Sequence, residues 1–291
     1  KVPPILIGIV IVSVGTTTPE LAVSIQATLD GNAQLALGNA VGSVIYDDGL
    51  ALPMVAFFAP AVVLIDRVVL RSAAVFLIIV DLLAYYMASD GTLSRGEGAV
   101  LVFGFVLYLV YTYWEHRRGR QVVDEDELDH EPSSWGRTIL LMVAGLVGVL
   151  ISSEGIVSAA PLIALSMGVS DIIVTLVIVA LGTSIPEIAT CIVAARKGQG
   201  GLAIGNILGA DILNICWIAG ASASVNALHV STDVIHFMFP AMIIIVLTML
   251  GLMRMGYRFE RWKAVILLVM CVTYLGLLLT TNPGALTSEI H

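Results

Sequence analysis

Charge is sparse in this sequence: only 12% of its 291 residues are Asp, Glu, Lys or Arg. A soluble domain carries about 25%, so a water-soluble globular protein is excluded. Segments of about 10 residues with alternating polarity are also missing, which excludes a transmembrane β-barrel. Cysteine is scarce. Cys191, Cys216 and Cys271 all fall in apolar stretches, so they read as packing residues rather than a disulfide or metal framework. His229, His236 and His291 have no ligand spacing. Met238, Met242, Met249, Met253 and Met255 read as packing. The chain begins at Lys1 with no signal-peptide pattern.

What is present is apolar. The hydrophobic share is 58% and the mean hydropathy +0.97. Runs of about 20 apolar residues have transmembrane length. The fold class is therefore all-α, a polytopic helical membrane protein. Nine spans are expected, at roughly 2–29, 33–58, 61–88, 94–115, 137–167, 170–195, 200–225, 233–254 and 260–281. The polar stretch 116–136 divides the chain into halves, 1–115 and 137–291. It holds six of the acids that make the formal net charge −8, so that charge says nothing about partners. Lys and Arg collect on the cytoplasmic side of membranes. With 116–136 placed inside, 13 of the 14 basic residues fall at inner ends and only Arg95 falls outside.

One stretch occurs twice. Val14–Asp47 aligns without a gap on Leu181–Asn214 at an offset of 167 residues, with 14 identities in 34 pairs. Five spans separate equivalent points, so the copies run antiparallel through the membrane. Inverted repeats around a midplane site mark secondary transporters. The span at 137–167 precedes the second copy, and its counterpart would precede residue 1. A further helix of roughly 30 residues (20 or more to cross a bilayer) is expected there, giving ten helices as five plus five.

The repeated residues suit hard cations. Gly15-Thr16-Thr17-Thr18-Pro19-Glu20 recurs as Gly182-Thr183-Ser184-Ile185-Pro186-Glu187. Proline inside a helix frees a backbone carbonyl one turn back. A broken helix at membrane depth is tolerated where it lines a cavity. A carboxylate there is costly unless it is paired or bound to a cation. Carbonyls, hydroxyls and a carboxylate are oxygen ligands fit for Ca²⁺, with about 6–8 oxygens, and by the same logic for Na⁺. The following helix of each copy adds Asn39, Ser43 and Asp47, or Asn206, Ala210 and Asn214, spaced by four to share a face.

A single proline in such a helix is usually only a kink, and Ser or Thr usually bonds back to its own backbone. Repetition at a fixed offset outweighs both readings. Asp48, Asp81, Glu154 and Asp211 are weaker candidates. Glu154 is balanced between site support and helix pairing, and Asp81 is expected near an aqueous end beside Tyr85 and Tyr86. Asp66, Arg67 and Arg71 read as an interfacial cluster.

On GTTTPE with GNAVGSVIYD, and GTSIPE with GNILGADILN, the sequence resembles the calcium/cation antiporter superfamily, most of all its prokaryotic sodium/calcium exchangers. The resemblance implies an inverted-repeat fold of ten helices and exchange of Na⁺ for Ca²⁺ by alternating access. It implies two sliding gate helices, one at 137–167 and one before residue 1, and no prosthetic group. By position, Glu20 and Glu187 match Ca²⁺-binding glutamates. Thr16 and Thr183 match residues giving backbone oxygens, and Thr17, Ser43 and Ser184 match hydroxyls of flanking Na⁺ sites. Asp47 and Asn214 match a central polar pair. The expected ion-binding set is thus Thr16, Thr17, Glu20, Asn39, Ser43, Asp47, Thr183, Ser184, Glu187, Asn206, Asp211 and Asn214.

There are departures. Ala210 replaces a usual hydroxyl and Asp211 follows it; Thr18 replaces an apolar residue; Asp48 doubles Asp47. Proton-coupled relatives usually carry Gly-Asn before the buried glutamate, whereas this chain has Gly-Thr twice, which favours Na⁺. The alternative is Ca²⁺/H⁺ or other cation exchange on the same fold. A remote alternative is an intramembrane aspartyl protease built on Asp47 and Asp211. It lacks a Gly before the second aspartate and leaves the Pro-Glu repeats unexplained. The expected setting is a prokaryotic inner membrane, as a monomer in the lipid bilayer with 116–136 cytoplasmic, and no nucleic-acid partner.

Overall fold

The computed structural model describes residues 7–117 and 174–281, with scattered positions between 140 and 162. The 116–136 loop beyond Arg117, most of the proposed gate helix 137–167, and Glu154 lie outside the described residues. Ten helices are found among those described. The first copy opens with α1, a π-type turn Gly8–Val12 that continues as Ser13–Thr16. After a break at Thr17 comes α2, Thr18–Leu29, and then α3, Ala33–Phe58. Two long helices follow, α4 (Arg67–Ala88) and α5 (Arg95–Arg117). The second copy repeats this order. It has α6 (Val174–Val179 and Ala180–Thr183), α7 (Ile185–Arg196) and α8 (Gly200–Val225), followed by α9 (Val234–Arg254) and α10 (Arg261–Thr281).

Among the described residues six single helices are long and apolar enough to cross a membrane, and α6 with α7 forms a seventh span bent by 41°. Where the expected spans fall on described residues their bounds hold closely, with one correction; the span expected at 137–167 lies largely outside them. The span expected from 61 begins at Arg67, because residues before it are extended and pair with another loop.

The two halves are joined at both ends by short antiparallel pairs. β1 (Val63–Leu64) pairs with β4 (Arg258–Phe259), and β2 (Thr92–Leu93) pairs with β3 (Leu228–His229). Each pair ties a loop of one repeat to a loop of the other. Paired loops must share a side of the membrane, so the pairs support the inverted arrangement. The β1·β4 end gathers the basic residues. There Arg67 stacks on Tyr257 at 4.6 Å and Arg196 on Phe58 at 4.8 Å. Lys263 donates to the Met255 and Arg258 carbonyls at 2.5 and 2.6 Å, satisfying the end of α9. At the other end Arg95 reaches Asn226 at 3.3 Å.

The central layer is α3 and α8. Of the helical windows they offer, 78% and 89% of residues are buried, against 22% for α5, so these two form the core and α5 faces outward. Both turn sharply from the preceding helix on a glycine with positive φ, Gly31 at 76° and Gly198 at 72°. The Asn32 side chain then caps α3 by accepting from Leu35 N–H at 3.0 Å.

Helix α1 lies almost against the α8 backbone. A Cβ at Gly209 would meet the Ile9 carbonyl oxygen and come 2.7 Å from Ile9 Cα. Gly209→Ala is therefore expected to destabilise the fold by ~1–3 kcal/mol, the usual cost of overpacking. Gly104→Ala is expected to be neutral or to stabilise by up to ~1 kcal/mol, since no atom lies within 4 Å of its Cβ position and alanine is the better helix former inside α5. Denaturant unfolding in detergent compares the two. Equal midpoints would refute the close contact.

Candidate cation-binding site

The site begins with the two breaks. Pro19 and Pro186 each sit at the start of a new helix, α2 or α7, where a missing N–H costs nothing. The residue before each new helix leaves helical geometry in the same way: Thr17 has φ −83° and ψ 7°, and Ser184 has φ −80° and ψ 0°. Each glutamate then falls in the first turn of its helix, where the helix dipole favours negative charge.

All twelve expected residues are buried, none more than 6% exposed. The repeats meet through mirrored hydrogen bonds. Thr16 Oγ1 donates to Asn206 Oδ1 at 3.2 Å, and Thr183 Oγ1 to Asn39 Oδ1 at 3.0 Å. Asn39 and Asn206 thus orient the opposite break while each is held by its own repeat. Asn39 Nδ2 donates to Ser24 Oγ at 3.0 Å and to the Glu20 carbonyl at 3.3 Å. Asn206 Nδ2 donates to Thr190 Oγ1 at 3.2 Å. Ser24 and Thr190 were missed in the sequence. They are not repeat equivalents, because Ser24 aligns with Cys191, whose thiol still faces the Ala203 carbonyl as Ser24 faces Ala36. The signal was available in the 167-residue offset, but the match is of position and not of residue type.

The central pair lies across the pseudo-twofold axis. Asn214 Nδ2 donates to Asp47 Oδ2 at 3.3 Å, and these two are repeat equivalents. Both begin or adjoin a π-type turn, Asp47–Ala51 and Leu213–Ala219, a distortion common at functional sites.

Around this pair the acids are left without donors. Glu20 feels the charges of Glu187 and Asp47. Thr183 lies beside Glu20, Thr16 beside Glu187 and Ser184 beside Asp47. None of these hydroxyls reaches hydrogen-bond geometry with the acid beside it: all four glutamate oxygens, Asp47 Oδ1, Asn214 Oδ1, Ser43 Oγ and Ser184 Oγ are buried without a partner. A buried ionised carboxylate with no partner is strongly unfavourable. Thr17 is engaged differently, donating to the Ser13 carbonyl at 2.7 Å and leaving only lone pairs for an ion. No three His, Cys, Asp or Glu side chains among the described residues form a metal cage by themselves. A cation between the glutamates must draw on hydroxyl, amide and carbonyl oxygens as well, which suits hard ions.

Asp211 sits beside this symmetric set. It feels the charge of Asp48 most, then those of Asp47 and Asp81. The expectation for Asp81 is corrected. It is 1% exposed, well inside α4, and it feels the charge of Asp48. Tyr86, 77% exposed, lies on the opposite face of the helix; five residues turn the chain by about 140° at ~3.6 residues per turn.

Comparison with known proteins follows the same line. The family described as sodium/calcium exchanger protein matches residues 1–114 and 137–280. The putative antiporter CaxA of Alkalimonas amylolytica is 33% identical over 296 residues, covering 97% of this chain and 90% of that protein. The sodium/calcium exchanger MaX1 of Methanosarcina acetivorans is 27% identical over 308 residues, covering 94% and 88%. Among solved structures, the sodium-calcium exchanger NCX_Mj soaked with 100 mM Na⁺ and 10 mM Sr²⁺ superposes with a TM-score of 0.77 at 26% identity, covering 94% of this chain and 87% of that one. With its two Pro-Glu breaks, inverted halves and donor-free glutamates, the chain belongs to the sodium/calcium exchanger protein family.

Proposed function

We propose that one Ca²⁺ or competing Na⁺ ions bind between the two Pro-Glu breaks, at the middle of the membrane. The chain is a transporter and not an enzyme, an antiporter exchanging Na⁺ for Ca²⁺ by alternating access. The observation that carries the site is the pair Glu20 and Glu187, buried with every carboxylate oxygen unpartnered. Thr16 and Thr183 add oxygens beside them, Asn39 and Asn206 hold these threonines, and Asp47 with Asn214 closes the centre. Thr17, Ser43 and Ser184 supply hydroxyl oxygens for Na⁺, and Asp211 adds charge from one side.

Exchange follows from sharing. The two glutamates carry two negative charges and are offset by one Ca²⁺ or by Na⁺ ions, but not by both loads at once. An empty site keeps uncompensated carboxylates, which disfavours the closed state. Only loaded conformers cross, so coupling is a difference in conformer stability. The ion path lies between two halves of one chain, so a monomer suffices. We assign the basic β1·β4 end, and with it the 116–136 loop, to the cytoplasmic face of a prokaryotic inner membrane; the Lys and Arg gathered there support this reading.

The test is ⁴⁵Ca²⁺ uptake into vesicles, with an outward Na⁺ gradient against equal Na⁺ on both sides. Uptake is expected only with the gradient. Uptake indifferent to Na⁺ would overturn Na⁺ coupling. A second reading, in which protons accompany or replace Na⁺, is favoured by one observation: Asp48, Asp81 and Asp211 are three further buried acids with no hydrogen-bond partner. A pH gradient in Na⁺-free buffer separates the two readings, driving uptake only under the second.

A further inference from the structure

At the basic end an open groove of about 830 Å³ runs between α4 and α5. That lies within the ~300–1,000 Å³ range of small-molecule sites. Its floor is the stacked pair Phe76 and Tyr108, with ring centroids 4.5 Å apart and planes at 25°. Above the floor, Val75, Ile79 and Leu107 are 54%, 56% and 52% exposed, so the walls are apolar and unfilled. The rim is cationic. Arg67 and Arg71 both line the groove and both are exposed. Arg71 has no ion-pair or hydrogen-bond partner among the described residues. Arg67 is held over the ring of Tyr257. Among the described residues Tyr257 is the one non-glycine residue with positive φ, 52°, and Ile65 N–H donates to its carbonyl at 2.9 Å. Such strain of ~1–3 kcal/mol persists where the surroundings over-determine it, often at ligand clamps.

The groove is long as well as two-ended. Arg67 to Ile79 is twelve residues of α4, about 18 Å at ~1.5 Å per residue. One leaflet of the hydrocarbon core is ~15 Å deep, half of ~30 Å. We propose that this groove binds one anionic phospholipid of the inner leaflet, with its phosphate at Arg67 and Arg71 and one acyl chain lying along Val75, Ile79 and Leu107. Charge complementarity fixes the sign of the headgroup, and the apolar length fixes the ligand class as a lipid rather than a free phosphate. The site is separate from the ion path, which lies between α3 and α8.

The test uses the full chain in detergent and native mass spectrometry, with dioleoyl phosphatidylglycerol and dioleoyl phosphatidylcholine offered together. One phosphatidylglycerol is expected to be retained in preference. Each basic residue near an anionic surface contributes ~1 kcal/mol, so Arg71→Gln should reduce the preference about fivefold while Arg71→Lys keeps it. Arg261→Gln, an exposed cation at the same end but outside the groove, should leave the preference intact. Ile79→Trp, which fills the deep end, should lower retention of both lipids. Equal retention of the two lipids by the wild type, or an undiminished preference in Arg71→Gln, would overturn the site. Displacement by glycerol phosphate as effective as by the lipid would reassign it to phosphate alone. Phosphatidylglycerol that binds only after Asp124, Glu125, Asp126 and Glu127 are neutralised would show that the chain's own acidic loop occupies the groove, and would also overturn the proposal.

Discussion

Glu20→Gln and Glu187→Gln are each expected to reduce Na⁺-driven ⁴⁵Ca²⁺ uptake to background. Both carboxylates are fully buried and neither has a hydrogen-bond donor of its own. Even at an effective dielectric of ~20, two unit charges 4 Å apart interact by ~4 kcal/mol. A divalent ion gains at least that from each glutamate, so losing one charge lowers affinity by at least about 1,000-fold at ~1.4 kcal/mol per decade. Glutamine keeps the shape and adds a donor that points into the site, hindering any cation that remains. The two variants should fold. Removing an uncompensated buried charge is neutral or stabilising, so their unfolding midpoints in Ca²⁺-free buffer should equal or exceed the wild type's. This separates a dead site from a broken protein. Wild-type uptake in either variant would sink the assignment of both glutamates.

The second large effect is at the centre. Asp47 and Asn214 are repeat equivalents joined by a 3.3 Å hydrogen bond. Glu187 and Asp48 already act on Asp47. Asn214→Asp would set a second carboxylate directly against Asp47 with no donor between them. Like charges at that range repel by several kcal/mol, so uptake should fall at least about 100-fold. Asp47→Asn keeps a hydrogen bond but removes the charge, and a loss of about tenfold is expected. The double exchange, Asp47→Asn with Asn214→Asp, restores one carboxylate and one amide across the axis. If the site is close to twofold, the double variant should recover most of the uptake lost in Asn214→Asp. Uptake no better than in that single variant would mean that the surroundings of the two positions differ too much for the axis to matter. Asp48 and Asp211 are the residues that could make them differ.

The helix positions and the two breaks were legible because each is a local property. Apolar length marks a span, and a proline beside a glutamate marks a break. The offset then exposed the symmetry that no single stretch carries. What stayed hidden was the choice of neighbour. Asn39 and Asn206 were expected on the ion-facing side, yet their carbonyl oxygens are held by Thr183 and Thr16 of the opposite repeat. Helical spacing gives a shared face but not what lies across from it. Ser24 and Thr190 escaped notice for the same reason, since their role comes from a partner helix. Asp81 lies inside because it shares a face with Tyr85, one turn on, which packs inward against Phe239, while only Tyr86 turns to the surface. The standing of Asp211 beside Asp48 could not be read from either residue, because the pair joins different halves and has no repeat counterpart.

The two loop pairs have a meaning beyond holding the ends together. β1 belongs to the first repeat and β4 to the second, and β2 and β3 reverse the roles, within one residue of register. Thr16–Asn206 and Thr183–Asn39 are reversed in the same way. This is the pattern of an isologous interface, in which residue i touches j and j touches i. The molecule is a twofold dimer whose protomers share one backbone. A true homodimer can place either no carboxylate or two at its axis, because each residue appears twice. Covalent fusion lifts that restriction. It allows Asp47 to face Asn214, Ser43 to stand opposite Ala210, and Asp211 to occur without a twin at Val44. An odd number of central charges is available to this protein only because its two halves are one chain.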